Sequence, residues 1–231
     1  MTISIIIPAY NEAAGIGKLV QYLRQHGGDT LNEIIVSDGG GRAETIRLAQ
    51  AAGAYAVLSP QQARGAQMNH GASHATGDIF YFIHADVFPP PSFVQDILRA
   101  IRCGYDFGRY RMRFDTRKWY LRFNEFFTRF DWFVCYGGDQ TLFIKRSLFE
   151  SSAGFRTDMR IMEDFEFTKR LRQQKVRYGI LKKGALISDR KYDKNSWWQV
   201  QRANYTIVKM YKRGASQDDM VNKYREMLDY R

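Results

Sequence analysis

The sequence predicts an α/β fold in which a mostly parallel sheet is flanked by helices. Within residues 1–100, short β-branched and aromatic runs alternate with segments whose apolar residues have helical spacing. Strands separated by helices of this kind are typical of βαβ units, whose strands are parallel. The first run, residues 3–7, is almost continuously β-branched, as expected of a strand buried on both faces.

Four strands and four helices are expected in this first part of the chain. The strands are predicted at residues 3–7, 33–37, 54–58 and 79–83. The first helix is predicted to begin at Asn11, which is a good N-cap residue, and to continue through Leu19 and Leu23. The other helices are predicted at residues 45–52, 64–75 and 93–102.

Three polar clusters follow predicted strands at their carboxyl ends. They occupy residues 8–12, 38–41 and 84–86. Ligands of open α/β sheets bind beyond the carboxyl ends of the strands. We therefore expect the three clusters to converge on one rim of the sheet, and we interpret this convergence as the signal of function.

Composition excludes several classes of protein. The chain has 231 residues, of which 45% are hydrophobic, so it is neither wholly disordered nor a collagen-like repeat. Two cysteines, Cys103 and Cys135, are expected to be free thiols in a reducing compartment. No signal-peptide pattern and no membrane-spanning apolar run are visible, which predicts a cytoplasmic location, with peripheral contact at the inner face of the membrane left open. No P-loop motif is present, which excludes a P-loop kinase or ATPase.

Six short motifs occur in order between residue 3 and about residue 175. They are Ile5-Ile6-Ile7-Pro8-Ala9-Tyr10-Asn11-Glu12, Val36-Ser37-Asp38-Gly39-Gly40, Arg64-Gly65-Ala66-Gln67-Met68-Asn69 with Ala75-Thr76-Gly77-Asp78, His84-Ala85-Asp86, Gly138-Asp139-Gln140 and Glu163-Asp164-Phe165-Glu166. Because these motifs occur in this order, the chain resembles members of glycosyltransferase family 2. It is most similar to the short microbial type that carries His-Ala-Asp in place of Asp-x-Asp.

The resemblance implies a GT-A fold, which is Rossmann-like and has a mixed, mostly parallel sheet. It implies an inverting glycosyltransferase that uses a nucleotide-diphosphate sugar, most often a UDP-sugar, with GDP as the alternative. It also implies a divalent cation, Mg²⁺ or Mn²⁺. The expected domain covers residues 1–190, with a nucleotide-binding half at 1–103 and an acceptor half at 104–190. A basic helical extension is expected at residues 191–231.

The same resemblance assigns roles to individual residues. Asp38 would accept a hydrogen bond from the base, Glu12 would lie near the ribose, and Arg64 would lie near the base or the diphosphate. Without the other motifs, the favoured interpretation of Glu12 is a helix first-turn charge, and that of Asp38 is an Asx-turn residue. The nucleotide-binding set implied by the resemblance is Pro8, Ala9, Tyr10, Glu12, Asp38, Arg64, Gly65, Met68, His84, Ala85 and Asp86.

The implied chemistry depends on two further acids. Asp86 would hold the cation, whereas His84 replaces the first acid of the usual motif and predicts a weak metal site. Asp164 would be the catalytic base that takes the proton of the acceptor hydroxyl, because inverting transfer needs such a carboxylate. Its neighbours in the acceptor region would be Asp139, Gln140 and Glu163.

The second part of the chain is basic and aromatic. Residues 1–100 carry six basic and eight acidic side chains, whereas residues 101–231 carry 29 basic and 16 acidic ones. The spacing of Trp119, Phe123 and Phe126 predicts an amphipathic helix at residues 117–133, with core packing as the favoured role. Further helices are expected near residues 197–213 and 218–230.

Several partners remain open for this basic part of the chain. They are a phosphate-bearing or lipid-linked acceptor, an anionic membrane surface, a second copy of the chain and single-stranded nucleic acid. A non-catalytic module that binds nucleic acid or membrane is the alternative function. Nucleic acid is disfavoured because phosphate backbones repel the carboxylates Asp38, Asp86 and Asp164.

Overall fold

One mixed sheet of eight strands forms the centre of the molecule. The computed structural model describes residues 1–41, 43–114, 116–136 and 140–229. Within them, the strands are β1 (Ile3–Ala9), β2 (Leu31–Asp38), β3 (Tyr55–Leu58), β4 (Ile79–Phe82), β5 (Val87–Phe88), β6 (Phe107–Phe114), β7 (Leu142–Lys145) and β8 (Tyr178–Ile187). Their spatial order is β3-β2-β1-β4-β7-β6-β8-β5.

The four strands predicted from the sequence are present and pair in parallel. Strand β1 lies between β2 and β4, with Ile5 opposite both Ile34 and Tyr81. All seven residues of β1 are buried, as expected of a central strand covered on both faces. Strand β2 ends at Asp38 and pairs with Ala9 of β1 there, so the first two polar clusters begin side by side.

Strands β5 to β8, in contrast, have no counterpart among the predicted strands. Strand β7 is antiparallel to β4 and β6, and β8 is parallel to β6. Basic residues interrupt the apolar patterns of β6 and β8, which obscures both strands in the sequence. The two strands approach closely at Gly108 and Gly179, where a Cβ atom on Gly108 would collide with the Gly179 carbonyl oxygen.

Helices cover the sheet and form the C-terminal segment. In the described residues they are α1 (Ala13–Gly27), α2 (Ala43–Ala51), α3 (Arg64–Ser73), α4 (Phe93–Arg102), α5 (Leu121–Phe127), α6 (Arg146–Ser151), α7 (Glu163–Gln173), α8 (Lys191–Lys194), α9 (Trp197–Lys212) and α10 (Gln217–Met227). Short 3₁₀ turns lie at Gly28–Thr30 and Phe133–Cys135. The helices predicted at residues 45–52, 64–75 and 93–102 correspond to α2, α3 and α4.

The prediction that Asn11 caps the first helix is wrong. Asn11 has a left-handed backbone with φ of 57°, and the N-cap position of α1 is Glu12. The Glu12 side chain makes no cap hydrogen bond and is buried instead. Its role as a helix first-turn charge is therefore not supported by the fold.

The predicted helix at residues 117–133 is also too long. Helix α5 ends at Phe127 because the next carbonyl groups bond to a side chain from the sheet. The buried guanidinium of Arg109 donates to the carbonyls of Thr128 and Phe130, at 2.7 and 3.1 Å. The Thr128 hydroxyl meanwhile accepts a hydrogen bond from the Met112 amide of β6. The carbonyl groups after Phe127 therefore accept from Arg109 and not from the backbone amides of a further helical turn.

The C-terminal helices α9 and α10 are fixed by specific polar contacts at their ends. Ser196 and Gln199 form a reciprocal capping box at the start of α9. The Asn195 side chain exchanges two hydrogen bonds with the backbone of Asp229, which follows α10. None of the helices in the described ranges has the length and apolarity required to cross a membrane.

Candidate active site

The Asp38 carboxylate lies at the carboxyl end of β2 with its two oxygens in different environments. Oδ1 accepts hydrogen bonds from the amides of Gly40 and Gly41, at 2.8 and 3.1 Å. Gly40 has φ of 88°, a conformation that favours glycine. Oδ2 is buried and has no hydrogen-bond partner among the described residues. The Asx-turn interpretation therefore accounts for one oxygen and leaves the other, which is buried, unexplained.

Gln67 holds the Asp38 loop against the neighbouring strand and was not anticipated as a site residue. Its side-chain amide donates to the carbonyl of Ala9 at 2.6 Å and to that of Ser37 at 3.0 Å. It is buried on α3, in the motif that also contains Arg64 and Met68. The only sequence signal for this role was the position of Gln67 in the motif that begins at Arg64, because its burial becomes visible only in the fold.

Asp86 and Glu12 meet at one arginine. Arg190 Nη2 donates to Asp86 Oδ2 at 2.7 Å and lies 3.7 Å from Glu12 Oε2. The Glu12 side chain is buried, whereas those of Asp86 and Arg190 are partly exposed. The structure thus brings two acids of separate predicted clusters to the same place. The cation between them, Arg190, was absent from the sequence prediction.

Glu163 and Asp164 begin helix α7 directly after a strained residue. Met162 precedes them with φ of 68°, which is unusual for a bulky residue and typical of positions constrained by function. Glu163 is buried, and its Oε1 lies 2.5 Å from Arg64 Nε, an ion pair that joins α7 to α3. Asp164 is half-buried and its Oδ1 accepts from the Phe165 amide at 2.8 Å.

A narrow cleft brings Asp164 together with residues of three other predicted motifs. It is lined by Met68, His84, Gln140, Glu163 and Asp164, besides apolar and aromatic side chains. Asp164 and His84, which lies two residues before Asp86, therefore face the same space. Through the contacts of Arg190 and of the Asp38 loop, the three polar clusters form one continuous rim.

Two tyrosines and the buried Arg109 complete this cleft. Burial raises the pKa of Tyr178, although the Arg109 guanidinium beside it acts in the opposite direction. Burial also raises the pKa of Tyr136, with a further increase from its hydrogen bond with Asp131. Both phenols consequently remain protonated at neutral pH. The O–H of Tyr136 is donated to Asp131, whereas the Tyr178 hydroxyl accepts from Arg109 and keeps its own O–H for a ligand.

The remaining predicted site residues have varied surroundings. Gln140 donates to the Cys135 carbonyl at 2.9 Å, and Tyr10 is exposed beside the buried Glu12. Asp139 lies outside the described residues. The other members of the predicted set are buried where they pack strands and helices together: Pro8, Ala9, Gly65, Met68 and Ala85.

A divalent cation fits this site if its ligands come partly from the protein and partly from a bound substrate. The described residues contain no group of three or more His, Cys, Asp or Glu side chains able to hold a metal ion. Asp86 supplies one accessible carboxylate at the rim. Mg²⁺ commonly binds through one or two carboxylates plus substrate phosphates and water. The donor set is compatible with that mode of binding.

A cationic groove adjoins the cleft. It is lined by Phe133, Tyr136, Lys169, Arg172, Gln173 and Lys212 and has a volume of about 410 Å³. Tyr136 also lines the cleft, so the two spaces are neighbours. Lys169 and Lys212 lie over the Phe133 ring, and neither forms an ion pair with a carboxylate of the described chain.

Exposed aromatic side chains, four of which are linked by ring contacts, form a surface here termed the aromatic patch. Its members are Trp119, Phe123, Phe126, Trp132 and Trp198, which are 46–80% exposed. Ring contacts through Phe127 join Phe123 and Phe126 to Trp132, and contacts through Trp197 join Phe123 to Trp198. The prediction that the stripe on α5 packs in the core is therefore wrong for its exposed members.

Comparison with known proteins identifies the class to which this site belongs. The profile of the family described as "Glycosyl transferase family 2" matches residues 4–173. Glucosyl-3-phosphoglycerate synthase of Mycolicibacterium smegmatis is 34% identical over 106 residues, which are 42% of this chain and 35% of that protein. The UDP-forming cellulose synthase 1 catalytic subunit of Komagataeibacter xylinus is 34% identical over 100 residues, which are 41% and 13% of the two chains.

Solved structures show the same fold at low sequence identity. Glucosyl-3-phosphoglycerate synthase from Mycobacterium tuberculosis, in complex with Mn²⁺, UDP and glucosyl-3-phosphoglycerate, has a TM-score of 0.61 at 19% identity, over 93% of this chain and 80% of that chain. A mannosyltransferase from Pyrobaculum calidifontis, in complex with GDP-Man and Mn²⁺, has a TM-score of 0.67 at 18% identity, over 97% and 69% of the chains.

The fold is that of the GT-A class of glycosyltransferases. More specifically, the chain belongs to glycosyltransferase family 2, because the family profile matches well over half of its length. The matched segments span about a third or less of the two curated relatives. The alternative of a non-catalytic binding module is not favoured by these matches.

Proposed function

We propose that this protein is an inverting glycosyltransferase that moves a sugar from a UDP-sugar to a hydroxyl acceptor. The observation that supports the donor is the buried Asp38 Oδ2, which lacks a partner among the described residues while Oδ1 is held by two amides. A buried carboxylate oxygen is costly unless it accepts a hydrogen bond. The N3–H group of uracil supplies one donor of the required kind.

The substitution Asp38→Asn tests the donor assignment. An asparagine that keeps its oxygen on the amides of Gly40 and Gly41 presents its NH₂ group to the uracil N3–H, so two donors face each other. We expect the affinity for UDP, measured by calorimetry with Mn²⁺, to fall by about tenfold or more. Asp29→Asn, on an exposed turn, is the matched control and should bind UDP as the wild type does.

Two results would contradict the proposed donor. Equal UDP affinity in the Asp38→Asn and wild-type proteins would remove Asp38 from base recognition. Tighter binding of GDP than of UDP by the wild type would instead replace the proposed donor by a GDP-sugar, because guanine also carries ring N–H donors.

In the proposed reaction, Asp164 accepts the proton of the acceptor hydroxyl as its oxygen forms a bond to the anomeric carbon. The bond from that carbon to the diphosphate oxygen breaks on the opposite face, and the nucleoside diphosphate leaves with the bonding electrons. Glu163 holds Arg64 and stays buried, so it is assigned to positioning of α7 and α3. His84 and Gln140 are assigned to orientation of the ligands because they line the same cleft as Asp164.

We assign the divalent cation, Mg²⁺ or Mn²⁺, to Asp86 together with the diphosphate. When bound there, it would neutralise negative charge that develops on the leaving group. The structures of relatives with Mn²⁺ and a nucleotide support this assignment by analogy of fold. A single protein carboxylate in the site predicts that the protein binds the ion weakly without nucleotide.

We propose that the acceptor carries a phosphate and is presented at a membrane surface. The cationic groove next to the cleft supports the phosphate, since Lys169 and Lys212 lack carboxylate partners among the described residues. The aromatic patch supports the membrane, because exposed tryptophans beside basic residues suit the interface of an anionic bilayer. The corresponding location is the cytoplasmic face of a membrane.

A further inference from the structure

Arg190 occupies the place between the two acids that the donor should approach. Its Nη2 is 2.7 Å from Asp86 Oδ2 and 3.7 Å from Glu12 Oε2. Both acids belong to clusters expected to surround the nucleotide. A guanidinium in this position balances their charge, which would otherwise repel the incoming diphosphate.

The backbone register places Arg190 there. Strand β5 begins directly after Asp86, and its first residue, Val87, pairs with Ile187, the last residue of the antiparallel strand β8. The residues that precede β5 and those that follow β8 are therefore neighbours at one end of the ladder. Arg190 is fixed further, since its backbone and side-chain nitrogens donate to the Ser188 hydroxyl at 3.3 and 3.1 Å.

The charge balance changes when a diphosphate enters. Two carboxylates and a diphosphate in one place require compensating positive charge. Among the described residues, no three His, Cys, Asp or Glu side chains gather into a group that could hold a metal ion. A guanidinium presents a planar set of donors that matches phosphate oxygens, and it forms bidentate contacts with them. At half exposure, the Arg190 side chain has room to turn toward the rim.

We infer that Arg190 is a diphosphate-binding residue that exchanges partners when the donor binds. In the unliganded protein it pairs with Asp86. With donor bound, the guanidinium contacts the diphosphate and leaves the Asp86 carboxylate to the divalent cation. Arg190 and the cation then share the neutralisation of the leaving group, so part of the affinity for the diphosphate is independent of metal. This inference rests on the proposed function.

The test compares the binding of uridine and UDP in EDTA by calorimetry. The wild type should bind UDP more tightly than uridine without metal, and Arg190→Ala should reduce that preference by about tenfold. The affinity for uridine should be the same in both proteins, because the base site is untouched. Arg190→Lys, which keeps the charge without the planar fork, should retain part of the preference.

Arg47→Ala is the matched control, since Arg47 is an exposed arginine paired with Glu44 on α2. It should keep the full preference for UDP over uridine. The inference would be overturned by an unchanged preference in Arg190→Ala, or by a wild type that binds UDP and uridine equally in EDTA. Failure of the wild type to bind uridine at all would instead overturn the proposed donor. Thermal unfolding of each variant confirms that it is folded.

Discussion

At the scale of single residues, the site depends on carboxylates whose surroundings differ. Asp38 is buried. One of its carboxylate oxygens accepts hydrogen bonds from two backbone amides, and the other has no hydrogen-bond partner among the described residues. Asp86 is accessible and paired with Arg190. Asp164 is half-buried in the first turn of α7 and accepts a hydrogen bond from the Phe165 amide. The tasks proposed for them differ accordingly: base recognition for Asp38, cation binding for Asp86 and proton transfer for Asp164.

The clearest single-residue prediction concerns Asp164. The substitution Asp164→Asn keeps the size of the side chain and removes its basicity. We expect kcat for sugar transfer to fall by a factor of about 10² to 10⁴, which is the usual contribution of a general base. The affinity for UDP should stay unchanged, since Asp164 is not assigned to the donor. Rates and calorimetric affinities would be compared with those of the variant Asp158→Asn, whose side chain is exposed.

An Asp164→Asn protein that transfers sugar at the wild-type rate would remove this residue from the chemistry. Loss of UDP affinity together with rate would place Asp164 in the donor site instead. The control Asp158→Asn should match the wild type in both measurements.

At the scale of elements, Arg109 decides where α5 ends and how the following segment meets the sheet. Its buried side chain also donates to the Tyr178 hydroxyl at 2.5 Å, so β6, β8 and the segment after α5 share one guanidinium. That segment carries Tyr136, which lines both the cleft and the cationic groove. The shape of the acceptor side thus depends on hydrogen bonds from a strand residue.

The substitution Arg109→Met tests this role. It leaves the carbonyls of Thr128 and Phe130 buried without their donor, so we expect the free energy of unfolding to fall by about 2–4 kcal/mol. Arg113→Met, at an exposed position of the same strand, should change it by about 0.5 kcal/mol or less. Chemical denaturation measures both. Equal stability of the two variants would contradict the role given to Arg109.

At the scale of the whole molecule, one stretch of chain borders three surfaces on the proposed acceptor side. Residues 119–132 carry four members of the aromatic patch, Phe133 and Tyr136 line the groove, and Tyr136 reaches the cleft. Arg129 lies over the Phe126 ring, so positive charge accompanies the apolar surface. This order suits an acceptor whose phosphate reaches the groove from a bilayer.

Vesicle binding tests the proposed membrane contact. The wild type should co-sediment with vesicles that contain phosphatidylglycerol, and binding should weaken with salt because exposed charges are screened. Replacing Trp119, Phe123 and Trp198 by alanine should abolish most of the binding. A control with Tyr55 and Leu58 replaced by alanine, which are exposed on the edge strand β3, should still bind.

Two results would contradict the membrane contact. One is wild-type protein that stays in solution with these vesicles at low salt. The other is a patch variant that shifts a dimer to a monomer in sedimentation analysis, which would assign the aromatic patch to a second copy of the chain.

The sequence by itself determined the parallel half of the sheet and the polar clusters at its rim. Strands β1, β2 and β4 each contain a run of buried apolar residues, and such a local run indicates a strand covered on both faces. The short edge strand β3 is only partly buried. The family motifs supplied Asp38 and Asp86, which follow β2 and β4, and Asp164, which lies at the start of α7. These features are local in sequence, so no partner from elsewhere in the chain is needed to recognise them.

Only the tertiary structure decided the other half of the sheet and the contacts that complete the site. Strands β6 and β8 contain many basic residues, and their pairing depends on each other rather than on their own pattern. Gln67, Arg109 and Arg190 act through bonds to residues 19 to 104 positions away. Such bonds depend on strand order and register, because a polar side chain carries no local sign of the distant group that it will meet.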